Sequence, residues 1–170
     1  MTFGVILMEK INALILDMIN YYSGDARRIQ HFLKVHAFAK LIGEAEKLDG
    51  ETLLTLEAAA VVHDIGIKPA EEKYGSSSGK LQEKEGPAPA RSMLRSNGFR
   101  ENTVERVCFL VGHHHTYYGI DGMDYQILVE ADFLVNLYED GAVKGAAMSA
   151  YDKIFKTETG KNICKKMFGI

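Results

Sequence analysis

The residues of this chain that could do chemistry are histidines and carboxylates standing where an apolar side chain is expected. His31 is followed by Val35, Phe38, Ile42 and Ala45 at spacings of four, three, four and three, so it heads the buried face of a helix. His63 extends Leu53, Leu56 and Ala60, and Asp64 follows it directly. His114 continues Val104, Val107 and Val111, with His115 beside it, and Asp132 falls between Leu128 and Val135. A polar group on such a face must find a partner, because burying it unsatisfied costs about 1–3 kcal/mol. Taken singly, each histidine is better read as a core residue with its own local partner. Four helices that each bring a polar group to the core are harder to satisfy. Imidazoles and carboxylates that converge repel or stay unpaired unless a cation lies between them. The chemistry implied is that of a metal centre.

Adjacent residues on a regular helix point about 100° apart, so the His63-Asp64 pair reaches one ion only near a helix end. Gly66 supplies that end. His36 lies on a different line, with Lys40 and Gly43, and reads as partly exposed; His113 reads as solvent-facing.

The elements that must position these residues are helical throughout. No stretch sustains a two-residue alternation, and the periodicity predicts helices over 4–22, 25–48, 52–65, 87–97, 101–114, 123–139 and 143–168, the last broken near Gly160. Ser23-Gly24-Asp25 and Asp49-Gly50 end one helix and cap the next, and Asn97-Gly98 closes another. The expected fold class is all-α, a compact bundle of about six to eight helices. Residues 66–86, with Pro69 and Gly75-Ser76-Ser77-Ser78-Gly79, lack an apolar period and read as a long mobile loop of the lid or binding type. Gly75 to Lys80 superficially suggests a phosphate-binding P-loop. It fails because the glycine spacing is one short, Leu81 stands where Ser or Thr is required, and no strand precedes it.

Composition bounds the function. With 170 residues, 46% apolar and 25% charged, residues 1–170 read as one globular domain. Twenty basic and 23 acidic residues give a net charge of −3, which argues against nucleic acid or an anionic membrane as partner. Cys108 and Cys164 form no CxxC pattern and read as reduced thiols of a cytoplasmic protein. The apolar start (Phe3, Val5, Ile6, Leu7) is interrupted by Glu9-Lys10 and Asp17. Leu7, Ile11, Leu14, Met18 and Tyr22 instead mark an amphipathic first helix rather than a membrane span.

The pattern His31…His63-Asp64…Asp132 resembles the HD-domain superfamily of metal-dependent phosphohydrolases. His31-Phe32-Leu33-Lys34-Val35, Ala58 to Gly66 and Val129-Glu130-Ala131-Asp132 with Leu134 each resemble the family's local contexts. The resemblance spans about 25–140, with the N- and C-terminal helices packed on that core. It implies a helical bundle in which His31, His63, Asp64 and Asp132 hold one divalent ion. Some members hold a second, and in those that cleave dinucleoside polyphosphates a His-Gly-Pro opens one helix and a further His closes the next. Glu85-Gly86-Pro87 and His114 stand at those places here, so Glu85 and His114 are the expected ligands of a second ion. The change from His to Glu argues against that particular dinucleotide activity.

Mixed imidazole and carboxylate ligands suit Mn²⁺, Fe²⁺, Co²⁺, Ni²⁺ or Zn²⁺, with Mg²⁺ as the alternative. The expected reaction is hydrolysis of a phosphate ester or anhydride of a nucleotide or small phosphorylated metabolite, with Asp64 bridging two ions or orienting the nucleophile. Lys68, four residues past Asp64, is the expected catalytic cation. Arg28, Lys34 and His115 are the further expected phosphate contacts, and Tyr117 and Tyr118 could stack on a base at the rim. A homodimer is compatible with the sequence. Two other readings stay open: a non-catalytic, metal-stabilised nucleotide sensor, and a di-iron oxygenase.

Overall fold

In the computed structural model, which describes residues 3–170 with side chains from Met8 onward, every residue from Leu54 to Val62 is buried. A helix buried all round is a central one. That helix, α3 (Gly50–Val62), is packed by α1 (Phe3–Tyr21), α2 (Ala26–Ala45), α7 (Glu101–Val111) and α8 (Met123–Glu139). α8 is nearly as deeply placed, with Asp124 to Asp132 all buried, and it lies along α2 as well as α3. Asp25 caps α2 by accepting from Arg28 N–H at 3.1 Å, and Asp49 caps α3 by accepting from the N–H groups of Glu51 and Thr52. On the first helix Ile11, Leu14, Met18 and Tyr22 are buried as the spacing requires; the side chains of Phe3, Val5, Ile6 and Leu7 lie outside the described residues.

No strand occurs among the described residues, but the helices number ten, more than the expected six to eight. Residues 66–86 are ordered rather than a loop. They form α4 (Ile67–Tyr74) and α5 (Gly79–Glu85), which lead into α6 (Pro87–Ser96). These two helices show no apolar period because each buries a single side chain, Ala70 in α4 and Gln82 in α5. Backbone approach holds them instead. A Cβ on Gly66 would run into Gln82 O and lie 2.8 Å from Gly86 N, so glycine is needed for want of space and not for its dihedral angles. The C-terminal segment breaks at residues 154–157, before Gly160, into α9 (Lys144–Lys153) and α10 (Glu158–Phe168). Thr157 starts the second by accepting from Gly160 N–H at 2.9 Å. No described helix is long and apolar enough to cross a membrane.

Candidate metal centre

The last turn of α3 decides where His63 and Asp64 point. The helix ends at Val62, and the chain tightens through Ile65 N–H to Val62 O and Ile67 N–H to Asp64 O, both spanning three residues instead of four. Two tyrosines from the end of α1 hold this turn: Tyr22 Oη donates to Asp64 O at 2.7 Å and Tyr21 Oη to Ile65 O at 3.2 Å. His31 arrives from α2 and Asp132 from α8, while His114 arrives just past the end of α7.

Three of the imidazoles are oriented by their Nδ1 atoms. His63 Nδ1–H donates to Ala60 O at 2.8 Å and His114 Nδ1–H to Val111 O at 2.8 Å, in both cases three residues back. His31 Nδ1–H donates to Glu139 Oε2 at 2.9 Å, and Glu139 is itself paired with Lys34 at 2.7 Å. A proton fixed on Nδ1 leaves Nε2 with its lone pair, the form in which imidazole binds a metal. The three Nε2 atoms face the carboxylates. His31 Nε2 lies 3.3 Å from His63 Nε2, 3.4 Å from Asp64 Oδ2 and 3.2 Å from Asp132 Oδ1. His63 Nε2 lies 3.4 Å from Asp64 Oδ2 and 3.6 Å from Asp132 Oδ1. Ligands about 2.1 Å from one cation stand roughly 3.0–3.4 Å from their neighbours in octahedral or tetrahedral arrangements. The spacing is that of a ligand shell.

Electrostatics give the same picture. Burial favours the neutral ring of His63, yet Asp64 and Asp132 hold its pKa well above the ordinary histidine value; His31 is raised against burial mainly by Asp132. Burial opposes ionisation of Asp64 and Asp132, yet His63 with His114 holds the first, and His31 with His63 the second, below the ordinary carboxylate range. This cluster is built to keep two buried carboxylates charged. Asp132 Oδ1 and His114 Nε2 are nevertheless buried without a hydrogen-bond partner among the described residues. Such orphans cost about 1–3 kcal/mol each, and a divalent cation satisfies both. The donor set therefore fits the metal that the sequence pattern implies.

Asp64 divides its oxygens. Oδ2 faces His31 and His63, while Oδ1 lies 3.5 Å from His114 Nε2. Ligand atoms of His31, His63 and Asp64 fall within 4.8 Å of one another, and so do those of Asp64, His114 and His115. His115 thus stands where Glu85 was expected. Glu85 is turned away, ion-paired with Lys73 and accepting from Tyr74 Oη at 2.9 Å, and it joins neither group. Burial, and then His114, push the His115 pKa down to about 4, so its ring is neutral at pH 7.

A cavity of about 450 Å³ opens onto His31, Asp64, Asp132 and His115. Arg27, Arg28, Asp25, Ser77, Gln82, Asn136 and Glu139 complete most of its wall. Arg28 lies there as expected, tied to Glu71 at 2.6 Å and to Asp25 at 3.3 Å. Lys68 does not reach it. Its ammonium lies 3.4 Å from Tyr21 O and 5.0 Å from the centre of the Tyr21 ring, because the tight turn at 63–66 breaks the helical register that would have set it one turn above Asp64. Lys34 is likewise spent on Glu139 and is not part of the cavity wall. His113 is half-buried and stacked on Phe109 at 4.2 Å, with its ring hydrogen bond to Phe109 O exposed; Tyr117 packs edge-on against Phe133 at 5.1 Å. Tyr118 is 83% exposed. Five site residues do not follow from the sequence patterns: Arg27, Ser77, Gln82, Asn136 and Glu139. Glu139, seven residues after Asp132 on the same helical face, could have been found from that spacing. Arg27 and Gln82 carry no such signal.

A family model described as HD domain matches residues 28–157. Among solved structures, the chain is similar to a predicted HD superfamily hydrolase from an uncultured Thermotogales bacterium, at 26% identity and a TM-score of 0.62 over 94% of this chain and 83% of that one. No curated protein matches it.

Proposed function

Since the chain belongs to the HD-domain family, a superfamily of metal-dependent hydrolases, we propose that it hydrolyses a phosphate ester or anhydride of a nucleotide or small phosphorylated metabolite. The observation that carries this reading is the pair of orphaned, buried donors, Asp132 Oδ1 and His114 Nε2, beside a cavity with two arginines in its wall. His31, His63, Asp64 and Asp132 would hold one divalent cation, and Asp64, His114 and His115 a second. Mn²⁺, Fe²⁺, Co²⁺, Ni²⁺ and Zn²⁺ suit these ligands, and Mg²⁺ suits their carboxylate oxygens. When bound, such ions supply Lewis acidity toward a phosphoryl oxygen and bring the pKa of coordinated water toward about 7.

The rest falls to the protein. Asp64, with one oxygen toward each group of histidines, sets the two donor groups in register. Arg27 and Arg28 offer guanidinium groups to phosphate oxygens at the mouth, taking over the role expected of Lys68. Ser77 and Asn136 present a hydroxyl and an amide to the remainder of the substrate. Among the described residues no phenylalanine or tyrosine lines the cavity, so recognition rests on phosphate and hydroxyl groups more than on a stacked base. The volume, about 450 Å³, lies within the range of small-molecule sites.

The test is release of phosphate from a panel of phosphomonoesters, nucleotides and dinucleoside polyphosphates with Mn²⁺, Co²⁺ or Mg²⁺. Cation-dependent turnover that chelation abolishes is expected. Tight retention of metal with no turnover on any ester or anhydride would overturn the enzymatic reading in favour of a metal-stabilised binding protein. Iron-dependent oxygen uptake would instead show an oxygenase.

A further inference from the structure

Helix α5 is organised around one imidazole. A Cβ on Gly79 would lie 2.8 Å from His115 Cγ, so only glycine lets that ring rest on the start of the helix. One turn on, Gln82 Oε1 meets His115 Nε2 at 3.1 Å. Glu83 Oε1 accepts from the backbone N–H of His115 and from the Thr116 hydroxyl, each at 3.0 Å. Three residues of a seven-residue helix therefore act on the segment that carries this ring.

The direction of the Gln82–His115 hydrogen bond follows from a third group. Gln82 Nε2 donates to Ser77 O at 2.7 Å. A carbonyl oxygen can only accept, so the amide nitrogen must face Ser77 and the amide oxygen must face the histidine. That oxygen can only accept in its turn. His115 therefore carries its proton on Nε2 and keeps its lone pair on Nδ1. His114 has the opposite arrangement, with Nδ1–H on Val111 O and Nε2 as the orphaned donor.

We propose that Gln82 is a positioning residue that locks His115 as the Nε2–H tautomer and so presents its Nδ1, beside Asp64 and His114, to a second divalent cation. This rests on the two-ion reading of the site. It also answers a geometric difficulty, since consecutive side chains diverge and two adjacent histidines do not readily reach one ion with the same nitrogen. Here the ring centres are 4.0 Å apart, and one residue offers its near nitrogen while the other offers its far one.

The experiment combines ¹⁵N NMR of the histidine rings in the metal-free protein with Zn²⁺ titration of wild type, Gln82→Met and Gln82→Glu. Wild type should show His115 protonated on Nε2 and bind two Zn²⁺ per chain, the weaker one shifting the His115 Nδ1 signal. Gln82→Met, close in volume but with no comparable acceptor, should leave the first Zn²⁺ unchanged and weaken the second about 10–100-fold, the usual effect of losing a group that orients a ligand. Gln82→Glu, whose carboxylate accepts from Nε2–H, should restore both the tautomer and the second Zn²⁺. A wild-type His115 protonated on Nδ1 overturns the proposal even if neither variant folds. So does a Gln82→Met protein that binds the second Zn²⁺ as tightly as wild type; the two-ion reading then stands without Gln82. Uptake of a single Zn²⁺ by wild type, with His115 still protonated on Nε2, brings down the two-ion reading itself and with it the role assigned here.

Discussion

Two carboxylates on α8, Glu130 and Asp132, are both buried and lie two residues apart, yet their surroundings are opposite. Residues at that spacing point about 200° apart around a helix, so they serve different faces. Glu130 accepts from Gln126 Nε2 at 2.8 Å, from the backbone N–H groups of Lys156 and Thr157 at 2.6 and 2.9 Å, and from the Thr157 hydroxyl at 2.5 Å. Gly160 packs so closely that a Cβ there would collide with the same carboxylate. Asp132 has imidazole nitrogens nearby and one oxygen with no hydrogen-bond partner among the described residues. One carboxylate is finished by the protein, and the other is left for a ligand to finish. Burial alone therefore says little about function; the informative quantity is whether the fold supplies the donors.

That contrast is best broken by exchanging losses between the two positions. Asp132→Asn should reduce bound metal and turnover to background, while the metal-free protein loses only the pairing with His31 and His63 and melts slightly lower. Glu130→Gln should do the reverse. It aims amide protons at backbone N–H groups and should cost roughly 3 kcal/mol in chemical denaturation, with metal content unchanged in the folded fraction. Metal loss in Glu130→Gln, or a large loss of stability in metal-free Asp132→Asn, would erase the distinction.

Next in size is Glu139→Gln. It weakens the carboxylate that holds the His31 ring and frees Lys34, and metal affinity by titration should fall about 10–100-fold without loss of fold. An unchanged affinity would show that the His31 ring needs no such support.

The pH dependence sharpens the comparison further. His31 and His63 have raised pKa values, so their contribution to the metal-free protein is complete below about pH 6.5 and is lost as pH rises through the folded values. Asp64 and Asp132 have lowered values, so theirs is present above about pH 3.9 and is lost as pH falls through the folded values. The metal-free protein should be most stable between about pH 4 and 6.5. The rise in Tm on adding Mn²⁺ should grow between pH 6 and 8, since the cation replaces the departing protons. A Tm increment independent of pH would count against these four groups as the ligands. Smallest is Thr157→Val, which removes the cap of α10 and one donor to Glu130; it should lower stability by about 1–2 kcal/mol and leave metal binding alone.

Much of this was legible in the chain itself. The helical class follows from the apolar period of α1, α2, α3, α7 and α8, and Asp25 and Asp49 mark two helix starts by their chemistry. His31, His63, Asp64, His114 and Asp132 stood out because each is polar on an apolar face, and the structure brings all five together. The same logic was silent on α4 and α5, which pack through glycine backbone instead of an apolar stripe, and so it turned an ordered pair of helices into a loop. It also failed for the cations. Lys68 and Lys34 were chosen by helical spacing, but a charged side chain on a long stem goes to whatever acceptor or ring the neighbouring helices bring near, Tyr21 for one and Glu139 for the other.

By itself the sequence determined which groups must be buried and that they need a cation, because periodicity and the cost of unsatisfied polar groups are local properties. Only the tertiary structure decided which nitrogen His31 and His115 offer, that His115 stands where Glu85 was expected, and that Arg27 flanks the cavity while Lys68 does not. Those choices depend on hydrogen-bond partners from distant helices, Glu139 to His31 across 108 residues and Gln82 to His115 across 33, and no spacing within one helix encodes them.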